Sequence, residues 1–125
     1  MSFINWLQEE TCDYDTWVNS FDTNNTKVTR MFKPIQVDVD VWLSVQASSV
    51  HCSRPQSDYV DPKDITHWEI LVFSRNGIKR IREVLPHFKS LAEIELYYLG
   101  MYAFVPTDLV SELFTALMFE NRITA

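Results

Sequence analysis

Ile35-Gln36-Val37-Asp38-Val39-Asp40-Val41-Trp42-Leu43-Ser44-Val45-Gln46-Ala47 alternates without a break. Odd positions are apolar, and even positions are polar except Trp42. Successive side chains of a strand point to opposite sides, so the pattern predicts one long strand with a buried and a wet face. Val39, Val41, Leu43 and Val45 fall on the buried face. Asp38, Asp40, Trp42, Ser44 and Gln46 fall on the wet one.

Working outward, His67-Trp68-Glu69-Ile70-Leu71-Val72-Phe73 reads as a second strand, apolar throughout at its end as in a central strand. Tyr97 to Val105 is rich in aromatics and reads as a third, with Gly100 marking a bulge. Residues 48 to 66 hold Ser48-Ser49, Arg54-Pro55 and Asp61-Pro62, and read as a long loop. Asn76-Gly77 is a turn signal. The helical spacing of Ile78, Ile81 and Leu85 favours a turn into a helix broken at Pro86. Ser90 and Glu93 have the spacing of a capping box. Leu109, Val110, Leu113, Phe114 and Leu117 form the apolar stripe of a last helix.

Before the first strand, Ser2 is placed to cap a short helix and Asp13 a second, in which Tyr14, Trp17, Val18 and Phe21 share a face. The expected fold class is α+β: a small antiparallel sheet of about three strands, its one face covered by helices from both ends of the chain. Residues 1–125 read as a single domain, with 46% hydrophobic residues to supply a core.

Composition narrows the function. Only two glycines are present, Gly77 and Gly100, so no glycine-rich phosphate loop or dinucleotide fingerprint can be built. A net charge of −6 argues against direct nucleic-acid binding. No apolar run reaches the ~20 residues of a membrane span. The start, Met1-Ser2-Phe3-Ile4-Asn5-Trp6, lacks the pattern of a signal peptide, so a cytoplasmic location is expected. Cys12 and Cys52 then read as free thiols, and Asn24-Asn25-Thr26 as a chance glycosylation match.

The basic patch Arg75, Lys79, Arg80 and Arg82, with Lys89 beyond it, reads as the solvated face of a helix; the alternative is a patch for an acidic partner. Cys52 lies beside His51 and Arg54, neighbours that lower a thiol pKa; an inert loop cysteine is the plainer reading. His67 and Glu69 share a strand face. If that face also bears Asp38 and Asp40, these groups with His51 are a candidate metal-binding or hydrolase-like cluster. Acids alternating along a wet face more simply serve solubility. Trp42 in an otherwise polar row implies a cover, from the 48–66 loop or an N-terminal helix, or an anchor for a partner.

Ser44-Val45-Gln46-Ala47-Ser48-Ser49-Val50-His51-Cys52-Ser53-Arg54-Pro55 resembles a segment in small uncharacterised proteins of bacteriophages and mobile elements. In those proteins a strand runs into Gln-Ala-Ser, then two residues, His, and soon a Pro. Met101-Tyr102-Ala103-Phe104-Val105-Pro106 with Asp108-Leu109-Val110 resembles their aromatic strand, Val-Pro turn and closing helix. An aromatic–cysteine pair follows the histidine in that family, whereas here only Cys52 does. The resemblance implies an origin, carries no activity, and singles out Gln46, Ser48, His51 and Pro55.

The sequence therefore predicts a non-catalytic, small acidic binding protein of phage or mobile-element origin. It would occupy a macromolecular partner, most naturally a protein, as inhibitors, anti-defence or immunity proteins do. No cofactor or metal is expected, nor direct contact with nucleic acid or membrane. The partner-binding candidates are Trp42, Gln46, Ser48, His51, Arg54 and Pro55. The alternatives are the metal or hydrolase reading on His51, His67, Glu69, Asp38 and Asp40, and a structural protein that forms a homodimer.

Overall fold

The computed structural model describes residues 2–9 and 30–123. The helix expected from Asp13, Cys12 and the glycosylation match lie outside the described residues. Ser2 caps as its position predicts, its hydroxyl accepting the Ile4 N–H at 3.3 Å, but the turn it opens, Phe3–Trp6, is a 3-10 helix.

The fold is α+β, around an antiparallel sheet of five strands rather than three. Strands β1 (Ile35–Asp38), β2 (Val41–Gln46), β3 (His67–Ser74) and β4 (Gly77–Lys79) lie in that order, and β5 (Tyr102–Pro106) pairs with β3. Two short helices, α1 (Ile81–Val84) and α2 (Leu91–Glu95), precede β5, and the long α3 (Thr107–Ile123) closes the chain.

The stretch 35–47 is a hairpin and not one strand. The chain turns at Val39-Asp40, and Val39 is 75% exposed instead of buried. The turn hid in the sequence for a geometric reason. A two-residue turn pairs odd positions with even ones, which would put Ile35 and Val37 on the wet face. A bulge between Gln36 and Asp38 shifts the register by one, so that Ile35 pairs with Leu43 and Gln36 with Trp42. Odd positions of both strands then share one face, and the alternation runs through the turn in phase.

Asp38 and Asp40 are turn acids rather than wet-face acids. The Asp38 carboxylate accepts the Val39 N–H at 2.7 Å, and that of Asp40 accepts the Arg75 N–H at 3.0 Å. Arg75 belongs to a second hairpin turn, since Asn76-Gly77 leads from β3 into the short strand β4 before α1 begins. The expected turn into a helix is thus corrected. Residues 97–101 form a turn, with Gly100 at φ +89° inside it, and only Tyr102 onward is strand. The Ser90 hydroxyl caps no backbone N–H of α2 and instead donates to Glu112.

One face of the sheet carries the core. Leu43, Val45, Trp68, Ile70, Val72 and Val105 are all buried, with Val41 packed at their margin. Leu109, Val110, Leu113, Phe114 and Leu117 of α3 lie among them, each at most 4% exposed, as the stripe predicts. Phe3 meets Trp68 edge-on at a centroid distance of 5.2 Å, which ties the N-terminal turn to the same core.

Candidate functional site

The long loop after β2 is built by its polar side chains. Gln46 is 5% exposed; its Oε1 accepts the Phe32 N–H at 2.9 Å and its Nε2 donates to the Phe32 carbonyl at 2.7 Å. The amide side chain thereby acts as a rung of sheet for residues 30–33. Ser48 is fully buried, its Oγ 2.5 Å from His51 Nδ1 and accepting the Val50 N–H at 3.2 Å. Ser53 Oγ donates to the Ser48 carbonyl at 3.3 Å. Gln46 and Ser48, expected as partner contacts, thus brace the loop from inside. Buried amides and hydroxyls must find partners, and here they find them in the loop's own backbone.

Glu69 stands on β3 opposite Gln46. One of its oxygens accepts the Cys52 N–H at 3.2 Å and the other lies 4.0 Å from His51 Nε2. Ser48, His51 and Glu69 therefore align in the manner of a hydrolase triad, but a fully buried hydroxyl offers no surface for a substrate to reach. Burial lowers the His51 pKa, against the raising influence of Glu69 and Asp58. A histidine held neutral in the fold stabilises it fully above the ordinary value of roughly 6.5. That contribution is lost as pH falls through the lower folded value. The midpoint of thermal unfolding is therefore expected to decline as pH drops below ~6.5, with a shallower slope in His51→Asn. A wild type and variant with parallel pH profiles would contradict this.

Burial pushes the Cys52 thiol up, and Glu69 adds to the shift, so Cys52 is the reverse of an activated thiol. The metal or hydrolase cluster is not assembled. His67 is engaged through Nδ1 with Thr66 Oγ1 at 2.8 Å, and Asp40 pairs with Arg75 at the far end of the sheet. Phe73, where that end begins, is four steps along β3 from Glu69, a span of ~13 Å. Among the described residues no group of three or more His, Cys, Asp or Glu side chains is placed to hold a metal ion.

The basic patch is not a helix face either. Arg75 lies in a turn, Lys79 in β4, Arg80 just before α1, and only Arg82 within it. Arg80 is used internally: its guanidinium pairs with Glu95, lies 3.6 Å above the Tyr98 ring and donates to Tyr102 Oη at 3.4 Å. Tyr102 Oη in turn accepts the Ile81 N–H at 2.9 Å. Lone arginines in a sequence give no sign of which will be consumed in this way.

Arg30, missed in the sequence, is 7% exposed and spans the loop's ends. Its guanidinium donates to the Ala47 carbonyl at 3.0 and 3.1 Å, to that of Val60, and to that of Ser57 at 3.4 Å. Burial alone would raise the Asp58 pKa, but the Ser49 and Arg30 N–H groups and the Ser49 hydroxyl outweigh it and hold the carboxyl low.

The sheet face away from α3 is less wet than the alternation predicts. Trp42 stacks on Phe73 at 5.8 Å with planes 12° apart and is partly buried. Ile78 pairs with Phe73 across β3 and β4 and stays 65% exposed. Beside them a groove of about 310 Å³ runs between Met31, Leu71, Ile78 and Met101, with His51 and Glu69 at its polar end. Of the predicted partner residues, Trp42 and His51 border this face, while Arg54 and Pro55 lie exposed on a separate cleft with Phe104.

Phe104 is the one described non-glycine residue with positive φ, at 55°. It occupies the irregularity where β5 passes the Trp68–Ile70 stretch of β3. A left-handed backbone costs an alanine ~1–2 kcal/mol, whereas the extra freedom of glycine costs ~0.5–1 kcal/mol. Phe104→Gly is thus expected to be more stable than Phe104→Ala by roughly 0.5–1 kcal/mol in denaturant unfolding, the inverse of the usual order. Equal midpoints would show that the backbone relaxes.

Among the described residues no helix is long and apolar enough to cross a membrane. Comparison with family models, with curated proteins and with solved structures gave no match for this chain.

Proposed function

We propose that this is a small non-catalytic binding protein that docks a protein partner through the open face of its sheet. One observation carries the reading: the face opposite α3 presents the Trp42–Phe73 stack together with Leu71, Ile78 and Met101, where solubility alone calls for polar side chains. Aromatic and methionine side chains in a shallow groove are the composition of an interface core. The surface to expect on the partner is apolar with a basic rim, because a chain of net charge −6 attracts positive surfaces and speeds their approach. A nucleic-acid-binding surface on a host protein fits that description.

The test is Ile78→Lys, which changes an exposed side chain and is expected to alter stability by about 0.5 kcal/mol or less. Wild type should retain a basic protein from host lysate that the variant releases, with Tyr59→Ser, at a 91% exposed loop site, behaving as wild type. Sedimentation of the purified chain is run beside it. A homodimer dissolved by Ile78→Lys would make the occupant a second copy. Retention of the same proteins by both forms would refute the role of this face.

A further inference from the structure

We propose that Arg54, laid over the Phe104 ring beside Pro55, is a binding site for a carboxylate carried on an apolar body. The guanidinium carbon stands 5.0 Å from the Phe104 centroid. The main chain beneath it is held on both sides. The Arg54 N–H donates to the His67 carbonyl at 3.0 Å, and the Arg54 carbonyl accepts the Thr66 N–H at 2.9 Å. Phe104 is tied to the same loop, its N–H donating to the Cys52 carbonyl at 3.0 Å. The main chain that carries the cation and the main chain that carries its platform are therefore both held before any ligand arrives.

Two further observations point to a ligand. First, the ion pairs among the described residues join His51 to Glu69, Arg75 to Asp40 and Arg80 to Glu95, and none engages Arg54. Arg54, whose side chain ends in a planar fork of donors, lines a cleft with Ser53, Pro55, Gln56 and Phe104. That fork matches the two oxygens of a carboxylate, and stacking on an aromatic ring leaves its in-plane donors available. Second, Phe104 reaches its place only through a left-handed backbone at a sheet irregularity. A bulky side chain there is an outlier that the rest of the fold must sustain. Irregularities of this kind redirect side chains, and this one sets an aromatic ring under a cation at the surface. Phe104 and Pro55 then supply an apolar surface for whatever carries the acid. The cleft shares no residue with the open-face groove, so it stands or falls apart from the proposed docking.

The acid has two natural sources, a free aromatic or branched acid and the C-terminal carboxylate of a peptide. The full chain is titrated with benzoate, with benzamide, and with an N-acetylated Gly-Phe dipeptide as its free acid and as its amide. The readout is the NMR shift of the Arg54 Nε–H and the Phe104 ring protons. Benzoate should give saturable shifts, and the neutral benzamide should bind at least about tenfold more weakly. Arg54→Gln should abolish the shifts. Phe104→Gly should weaken binding by roughly fivefold or more while unfolding no earlier than Phe104→Ala. Tighter binding of the dipeptide acid than of benzoate would assign the site to a chain terminus, and the reverse order to a free acid. Equal shifts with benzoate and benzamide, no saturation in wild type, or undiminished binding in Arg54→Gln would overturn the proposal.

Discussion

Trp68→Ala is expected to destabilise the protein by about 3–5 kcal/mol, a large share of the roughly 5–15 kcal/mol by which native domains are stable. Trp68 is fully buried near the start of β3, edge-on to Phe3 and 6.3 Å from the Phe32 ring. Its indole N–H donates to Thr107 Oγ1 at 2.9 Å, and that hydroxyl donates to the Ile65 carbonyl at 2.9 Å. One side chain thereby joins the central strand to the N-terminal turn, to the chain entering β1 and to the start of α3. Trp68→Phe keeps most of the volume and loses the polar link, and should cost ~1 kcal/mol, the value of one hydrogen bond. Denaturant unfolding of both variants separates packing from polar contribution. An alanine variant within about 1 kcal/mol of wild type would show that the core closes over the gap.

Arg30→Met should be the next most damaging, at roughly 3 kcal/mol. It removes the donors to Ala47, Val60 and Ser57, and an orphaned buried acceptor costs ~1–3 kcal/mol. The methionine fills much of the same space, so the loss reports the polar contacts. Its signature is local as well as global: the 48–60 segment should become the first point of limited proteolysis, because Arg30 fastens both of its ends. Arg30→Lys, with a compact charge in place of the fork, should fall between the two. If Arg30→Met is neutral, the carbonyls find water or each other, and the loop is held by Ser48, Ser53 and Asp58 alone.

The parts of this fold visible in the sequence are those where one periodicity runs uninterrupted by backbone irregularity. The α3 stripe from Leu109 to Leu117 is of this kind, and so is the strand from His67 that turns wholly apolar after Glu69; both form the elements read for them. The hairpin at Val39-Asp40 was hidden because two irregularities cancel in the pattern. The β4 strand was masked by Ile78, Ile81 and Leu85, whose helical spacing is real only from Ile81 onward. At the site, the resemblance drew notice to Gln46, Ser48, His51 and Pro55, of which Ser48 and His51 meet each other while Gln46 bonds Phe32. The burial of Gln46 and Ser48 was not legible, because polarity in a sequence does not distinguish a side chain facing water from one bonded to buried backbone. Arg30 and Phe104 left no trace at all. A guanidinium's partners are distant in sequence, and a left-handed phenylalanine has no local signature.

The first hairpin has a consequence for how this chain tolerates changes in length. Its bulge exists to compensate an even-numbered turn. One residue added at Val39-Asp40 would do the same work from the other end, letting β1 and β2 pair regularly with Ile35 still opposite Leu43. A single insertion there is then a repair, whereas two together restore the mismatch and need the bulge again. Variants with altered turn lengths should sort by odd and even rather than by size, and the odd ones should carry the straighter first strand.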